Sequence, residues 1–566
     1  MKTNKVNTSR LIKTLITSIV VILVLLLLMN KRHEHTGYFN WRSELWADQV
    51  GYYVYLPGLF VYQFNPAAFP EKIEEKTGDG FTLDLSNQKV ITRYTCGIAI
   101  LQLPFFLIVH GYAGIVGLPQ DGFSGIYHQV PNIAALFYAF IGLFFLWKFL
   151  RFDYSRAVVF FTIATLFFGT NLYYYAIDNT GMSHIYSFAL FALIAWLTKK
   201  IRSGHLKYLT LGFAFQTGLF ALIVLIRPTN ILLFPFLFCL DCSSVVDFRK
   251  RIGSCLNRRR ILVAAGVSLL VFLPQFLYWK YVSGSYISYS YEGYGFSNWK
   301  SPQILELWFS PNNGLFLYSP LYLLVLVGML LMARDKRING WLAAITFVVI
   351  SYVFASWCMV SFGCGFGSRN YVEYLVVFAL PAGYLFFKLF RLNIFTKAIV
   401  FAGILFLVLF NQKLIYSYNK CFQGNHWDFQ EYAYLLKHKK YQRVLKLGEH
   451  RQLGPENEYS EKIELHVDSI ARVNFRRAIV RSEVVIEAPD SEAMLVLAIE
   501  NSDSTIYWNA TRFGEQIGPD RLCEKQLVEG DFWLPRHFSI NSRILVYVWN
   551  KNRENLTVEY LDLFLE

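Results

Sequence analysis

Two rhythms of apolar and polar positions divide this chain. Up to about residue 415, long apolar runs alternate with short basic clusters; from about Glu461 onward the apolar residues recur at every second position. The first run, 11–29, follows Lys2, Lys5 and Arg10 and ends in Met-Asn-Lys-Arg without small residues suited to cleavage. It is therefore expected to stay in place as a signal anchor with a cytoplasmic N-terminus. Further runs of spanning or near-spanning length lie at 96–117, 126–147, 157–175, 181–198, 208–226, 229–240, 261–282, 315–333, 338–361, 371–387 and 394–415. Residues 229–240 are short for a hydrocarbon core of ~30 Å at ~1.5 Å per residue, so this stretch either borrows length from Arg227 or is a broken helix.

The basic clusters set the topology. If 96–117 lies in the outer leaflet without crossing, then Lys148, Arg151 and Arg156, the groups at 199–207, 249–251 and 258–260, Arg334 to Arg337, and Lys388 to Lys397 all face the cytoplasm. If it crosses, every one of them moves outside, against the positive-inside bias. Pro104 and the glycines at 97, 111, 114 and 117 also weaken 96–117 as a simple span. About eleven crossings are expected, with a signal anchor at 1–30, a large external loop with interfacial helices at 31–125, and a helical bundle at 126–418.

Residues 426–450 read as a basic amphipathic helix at the membrane surface, within a juxtamembrane segment placed at 419–455. Beyond it, KIELHV, AIVRSEVVIE, MLVLAIE, IYWNATRF, ILVYVWN and LTVEYLDLFL alternate between turn residues. Such a pattern predicts an extracytoplasmic β-sandwich of roughly a hundred residues, here 456–566. Its Trp508, Trp533 and Trp549 either stack on sugar rings or fill its core.

Composition agrees with the membrane reading. The 566 residues are 54% hydrophobic, 18% aromatic and only 17% charged, with positive mean hydropathy, which excludes an ordinary soluble protein. The net charge of +14 is dispersed between apolar runs, so it orients the chain rather than binding nucleic acid. Eight scattered cysteines, with Cys239 and Cys242 the nearest pair, suggest neither a disulfide framework nor a metal knuckle.

Candidate chemistry gathers at the external ends of the spans. Residues 44–57, ELWADQVGYYVYLP, place Asp48 among aromatic residues where a bilayer surface should lie. A carboxylate at that depth is costly unless it is used or paired, and partial desolvation makes it a better base toward a hydroxyl. Glu44, four residues earlier, is either a second acid or an exposed helix residue. Arg227 in LIRPTN and Arg369 in FGCGFGSRNYVEY are planar cations suited to phosphate oxygens. His184 is a further candidate for the phosphate, and Tyr52, Tyr53, Glu292 and Glu373 for substrate contacts. The glycines at 363, 365 and 367 permit a close backbone approach or a tight turn; no P-loop lysine follows them.

The N-terminal span, the acidic first loop (ADQVGYYVYLP) and the later external arginine (FGSRNYVEY) together resemble the GT-C superfamily of integral membrane glycosyltransferases. The stretch RYTCGIAILQLPFFLIVHGYAG looks like the interfacial helices of protein O-mannosyltransferases and aminoarabinose transferases. The resemblance spans roughly residues 10–415. It implies a polyprenyl-phosphate-linked sugar donor, a glycan, lipid or protein acceptor, and inversion at the anomeric carbon. It also implies that Asp48 acts as general base or helps to bind a divalent cation such as Mg or Mn. The paired Asp-Glu or Asp-x-Asp of many members is replaced here by Glu44 and Asp48 four apart, so the metal requirement stays open.

The resulting expectation is a plasma (inner) membrane glycosyltransferase, with Arg369 on the donor phosphate and Arg227 or His184 assisting. It requires Asp48 and Arg369 to share one cavity, since a separation beyond about 15 Å exceeds what one phosphosugar bridges. Two rivals stand beside it. One is a transporter or flippase for a lipid-linked saccharide; the other is a non-catalytic assembly protein for an envelope polysaccharide.

Overall fold

The computed structural model describes residues 8–33, 38–203, 210–291, 293–418, 428–437, 442–469, 475–488, 491–502, 504–518, 521–535 and 538–565. The leucine-rich first run forms the helix Thr8–Arg32, which ends on Lys31 and Arg32 where its free carbonyls favour cations. Among the described residues, Gly97–Val116, Gly125–Leu150, Arg258–Ser283, Ile338–Ala355 and Ile394–Ser417 are helices long and apolar enough to cross a membrane. Shorter apolar helices, among them Arg156–Gly169, Leu321–Arg334 and Leu375–Leu389, pack between them around one buried cluster. This is a multi-pass membrane chain.

The breaks in these helices matter more than their lengths, because they carry the polar residues. Pro228 disfavours the helical region for the residue before it, and Arg227 is extended at φ −149° and ψ 119°. A 3₁₀ turn, Pro228–Leu233, then leads into the short helix Phe234–Cys239, so the short run is a broken helix. After Gly169 the chain leaves the helix and winds through a π-helical turn, Tyr174–Asp178, before Ser183–Arg202 begins. In the loop before Leu375–Leu389, Gly367 adopts a φ of +66°, and a Cβ there would lie 3.1 Å from the Tyr318 Cβ; one on Gly365 would lie 2.6 Å from the Tyr175 hydroxyl. The glycines thus let the backbone press against two buried tyrosines.

The C-terminal region holds two four-stranded antiparallel sheets. One is ordered Gln442–Leu453, Leu556–Leu565, Arg477–Ile486, Gln526–Trp533; the other Ile463–His466, Arg543–Trp549, Met494–Glu500, Thr505–Arg512. Alternate residues from both sheets, including Val480, Leu497, Val528 and Val546, form a single buried cluster.

The expected helix over 426–450 is only partly present. Phe429–Lys437 is helical, but Gln442–Leu453 is a strand paired with Leu556–Leu565. Gly448 is a poor helix residue, and the terminal strand offers that backbone a full set of partners. A second strand without clear alternation, Gln526–Trp533, also went unread.

The first loop is tied to this region. Tyr38 and Phe39 donate their backbone N–H groups to the Glu515 carbonyl at 3.2 and 2.7 Å. Arg42 binds Glu529 at 3.0 Å and pairs with Asp531, on the face of the first sheet opposite its core.

Candidate active site

Asp48 opens the short helix Asp48–Tyr53, an end at which a negative charge is favoured. The residue before it, Ala47, holds a φ of +48°, a strained value for a residue with a Cβ. It is held there by a bond from its N–H to the Thr77 carbonyl at 2.8 Å and by Gly80, whose missing Cβ would otherwise lie 2.0 Å from the Ala47 carbonyl oxygen. The loop therefore fixes where the Asp48 side chain leaves the backbone.

Arg369 comes to meet it. Its Nη2 donates to Asp48 Oδ2 at 3.2 Å, across 321 residues of sequence, well inside the ~15 Å limit. The other carboxylate oxygen, Oδ1, accepts a hydrogen bond from the Tyr94 hydroxyl. Burial and the Asp48 charge push the Tyr94 hydroxyl far above its usual range, so it stays a proton donor. Burial works against the Arg369 charge, but Asp48 together with Tyr175, Tyr52 and Tyr94 outweighs it and raises that group. The pair is not sealed: the Asp48 side chain is 34% exposed and that of Arg369 15%.

Arg227, displaced from its helix by Pro228, sits in a tighter frame. Its Nη1 donates to Glu373 Oε1 at 3.0 Å and its Nη2 to Asn370 Oδ1. His184 Nδ1 lies 3.0 Å from the other Glu373 oxygen. Glu373, Asn370 and His184 are all buried. Asn370 follows Arg369 directly, so one short stretch of chain holds both cations. The Arg369 Nε and the Asn370 Nδ2 are buried with no hydrogen-bond partner among the described residues, and each is a spare donor.

Solved structures of ArnT from Cupriavidus metallidurans are similar to this chain in the course of the backbone. The undecaprenyl-phosphate-bound form aligns over 76% of this chain and 69% of its own at 14% identity, with a TM-score of 0.40. The apo form aligns over 76% and 68% at 13% identity, with a TM-score of 0.39. The similarity is one of fold. No protein-family model matches the chain, and no curated protein does.

Several expected site residues are elsewhere or occupied. Glu44 is neither exposed nor a partner of Asp48: it is 2% exposed, with His33 Nδ1 against one oxygen and His128 Nδ1 at 3.3 Å from the other. Burial opposes its ionisation, but the hydrogen bonds from His128 and His33 outweigh that and hold the carboxyl well below its ordinary range. The two acids are thus engaged by different partners. Among the described residues, no group of three or more His, Cys, Asp or Glu side chains is placed to hold a metal.

Tyr53 is fully buried against Phe106 and Phe123 and donates to the Gly122 carbonyl at 2.8 Å, so it is a core residue and not a substrate contact. Glu373 likewise faces Arg227 and His184. Tyr52 lies beside the site, its ring centroid 4.4 Å from that of Tyr94. Glu292 falls outside the described residues. Cys364, in the Arg369 loop, is disulfide-bonded, a bond that the scattered cysteines of the sequence do not announce.

Sequence reasoning also missed Tyr94 and Asn370. Asn370 had a usable signal, as the neighbour of a chosen arginine; Tyr94 had none, being one of 36 tyrosines.

Proposed function

We propose that the protein is an inverting glycosyltransferase that moves a sugar from a polyprenyl-phosphate-linked donor to an acceptor hydroxyl at the external face of the plasma membrane. The observation that carries this is the meeting of Asp48 with Arg369, a part-exposed carboxylate beside a cation that has donors to spare. In the reaction, Asp48 takes the proton of the acceptor hydroxyl as that oxygen attacks the anomeric carbon from the side opposite the phosphate. The bond from the anomeric carbon to the phosphate oxygen breaks, and its electron pair leaves with the polyprenyl phosphate. Arg369 balances the charge that develops there. Arg227 adds a fixed positive field, held in place by Glu373 and Asn370.

The wider arrangement is proposed on the same terms: about eleven crossings, 96–117 in the outer leaflet, and 456–566 as an external β-sandwich. Two observations support it. The basic clusters then face the cytoplasm, and a disulfide at Cys364 fits a loop that lies in an oxidising compartment. The charged residues of the site sit at helix ends and in loops, which favours a transferase over a transporter with charges at mid-membrane.

The test is Asp48→Asn, which keeps the size of the side chain and removes the base. Transfer of labelled sugar by the purified full-length protein, supplied with native lipid extract, should fall by about 10²- to 10⁴-fold. Unchanged turnover would remove Asp48 from the mechanism.

A further inference from the structure

Each carboxylate oxygen of Asp48 already has a partner, although the side chain is 34% exposed. Tyr94 holds Oδ1 and Arg369 caps Oδ2 at 3.2 Å. A carboxylate oxygen held against a guanidinium is a weak proton acceptor, because the cation stabilises its charged form. The oxygen needed to take the acceptor's proton is therefore engaged by the group needed to hold the donor's phosphate.

The two arginines differ in how easily they change partner. Both terminal nitrogens of Arg227 are committed to buried acceptors, Glu373 and Asn370. Among the described residues Arg369 makes a single hydrogen bond, to a carboxylate that is one-third exposed, and its Nε has no partner. A phosphate offers a guanidinium two or more oxygens in its own plane, a better match than one carboxylate oxygen. The neighbouring Asn370 Nδ2, also without a partner, is a second donor on the same short stretch of chain.

We propose that the Asp48–Arg369 pair is a latch that the donor's phosphate opens. The phosphate draws Arg369 off Asp48, Oδ2 is released while Tyr94 keeps Oδ1, and only then is a base available to the acceptor. Donor binding precedes acceptor activation, and the free enzyme keeps its base paired with Arg369. This rests on the glycosyltransferase reading and adds an order of events to it.

The experiment measures binding of farnesyl phosphate, a short polyprenyl monophosphate, to the full-length protein in detergent by intrinsic tryptophan fluorescence. The proteins compared are wild type, Asp48→Asn, Arg369→Gln and the double variant. A latch makes the phosphate compete with Asp48, so Asp48→Asn should bind about fivefold tighter, the worth of one part-exposed ion pair. Arg369→Gln should bind at least tenfold weaker, as expected for loss of a charge-assisted contact. The gain from Asp48→Asn should disappear in the Arg369→Gln background.

If the gain persists there, it reflects loss of charge repulsion alone and the latch is wrong. Equal or weaker binding by Asp48→Asn also overturns it, while the donor reading stands as long as Arg369→Gln has lost affinity. If the wild type binds no phosphate, or Arg369→Gln binds as well as the wild type, the donor reading falls and takes the latch with it.

Discussion

Arg227 and Arg369 are the same residue in nearly the same place, and their surroundings give them opposite characters. Arg227 is bound at both terminal nitrogens by groups that water does not reach, with His184 closing the far side of Glu373. Among the described residues Arg369 makes one hydrogen bond, to a part-exposed acid. A buried ion pair with complete hydrogen bonding behaves as a piece of scaffold, since opening it strands a charge. A part-exposed single contact gains little by staying closed and is free to exchange. A site that must bind and release a phosphate needs both: a fixed cation that sets the field and a movable one that follows the ligand.

The sharpest way to break this contrast is to remove one partner from each pair. Glu373→Gln removes the buried counter-charge of Arg227, whose own side chain is 17% exposed, and should cost about 3 kcal/mol of stability, read as a large fall in thermal midpoint in detergent. Arg369→Gln should cost only about 1 kcal/mol while abolishing transfer. Similar losses of stability in the two variants would mean that both arginines are scaffold.

The sequence carried the two ends of the site and not its middle. Asp48 and Arg369 stood out because a charge beside an apolar segment is rare and costly, and that cost needs no knowledge of the fold. Glu44 was misread for the converse reason. Its burial depends on His33 at the end of the first helix and on His128, 84 residues away, and a short-range helical spacing says nothing about either. Tyr53 was drawn to the site by being next to Tyr52, yet the two side chains of neighbouring residues point apart, one toward Tyr94 and one into the loop core. In the C-terminal region, strands with strict alternation were legible from the chain alone. Gln442–Leu453 was not, because its conformation is dictated by pairing with a strand more than a hundred residues later.

Glu44 and Asp48 extend the contrast to acids four residues apart. Glu44 accepts from two histidines in a buried setting, and Asp48 is held at the surface by a tyrosine and one arginine. Glu44→Gln should therefore lower stability by about 2 kcal/mol through the loss of charge-assisted hydrogen bonds, with transfer per folded molecule retained. Loss of transfer at unchanged thermal midpoint would return Glu44 to the chemistry.

The smallest effect concerns the junction between the first loop and the C-terminal sheets, where buried and exposed acids again differ. Burial opposes ionisation of Asp531 and Glu529, but Arg477 and Arg42 at the first, and Arg42 and Arg481 at the second, outweigh it and keep both carboxyls below their usual values. Their contribution is present above the ordinary carboxylate range and is lost as pH falls through the lowered values. Glu515, whose backbone carbonyl receives Tyr38 and Phe39, is shifted the other way. Partial burial, with Glu492 adding to it against Arg512, raises its carboxyl from 4.5 to about 7. The folded state then binds the proton more tightly than the unfolded chain, so this contribution is full below 4.5 and fades as pH rises through about 7. The junction should be firmest in mildly acidic solution. Glu515→Gln should remove the loss on the alkaline side and leave the acid side unchanged, measured as the rate of protease cleavage between the bundle and the sheets across pH. A variant that kept the alkaline slope would show that another group sets it.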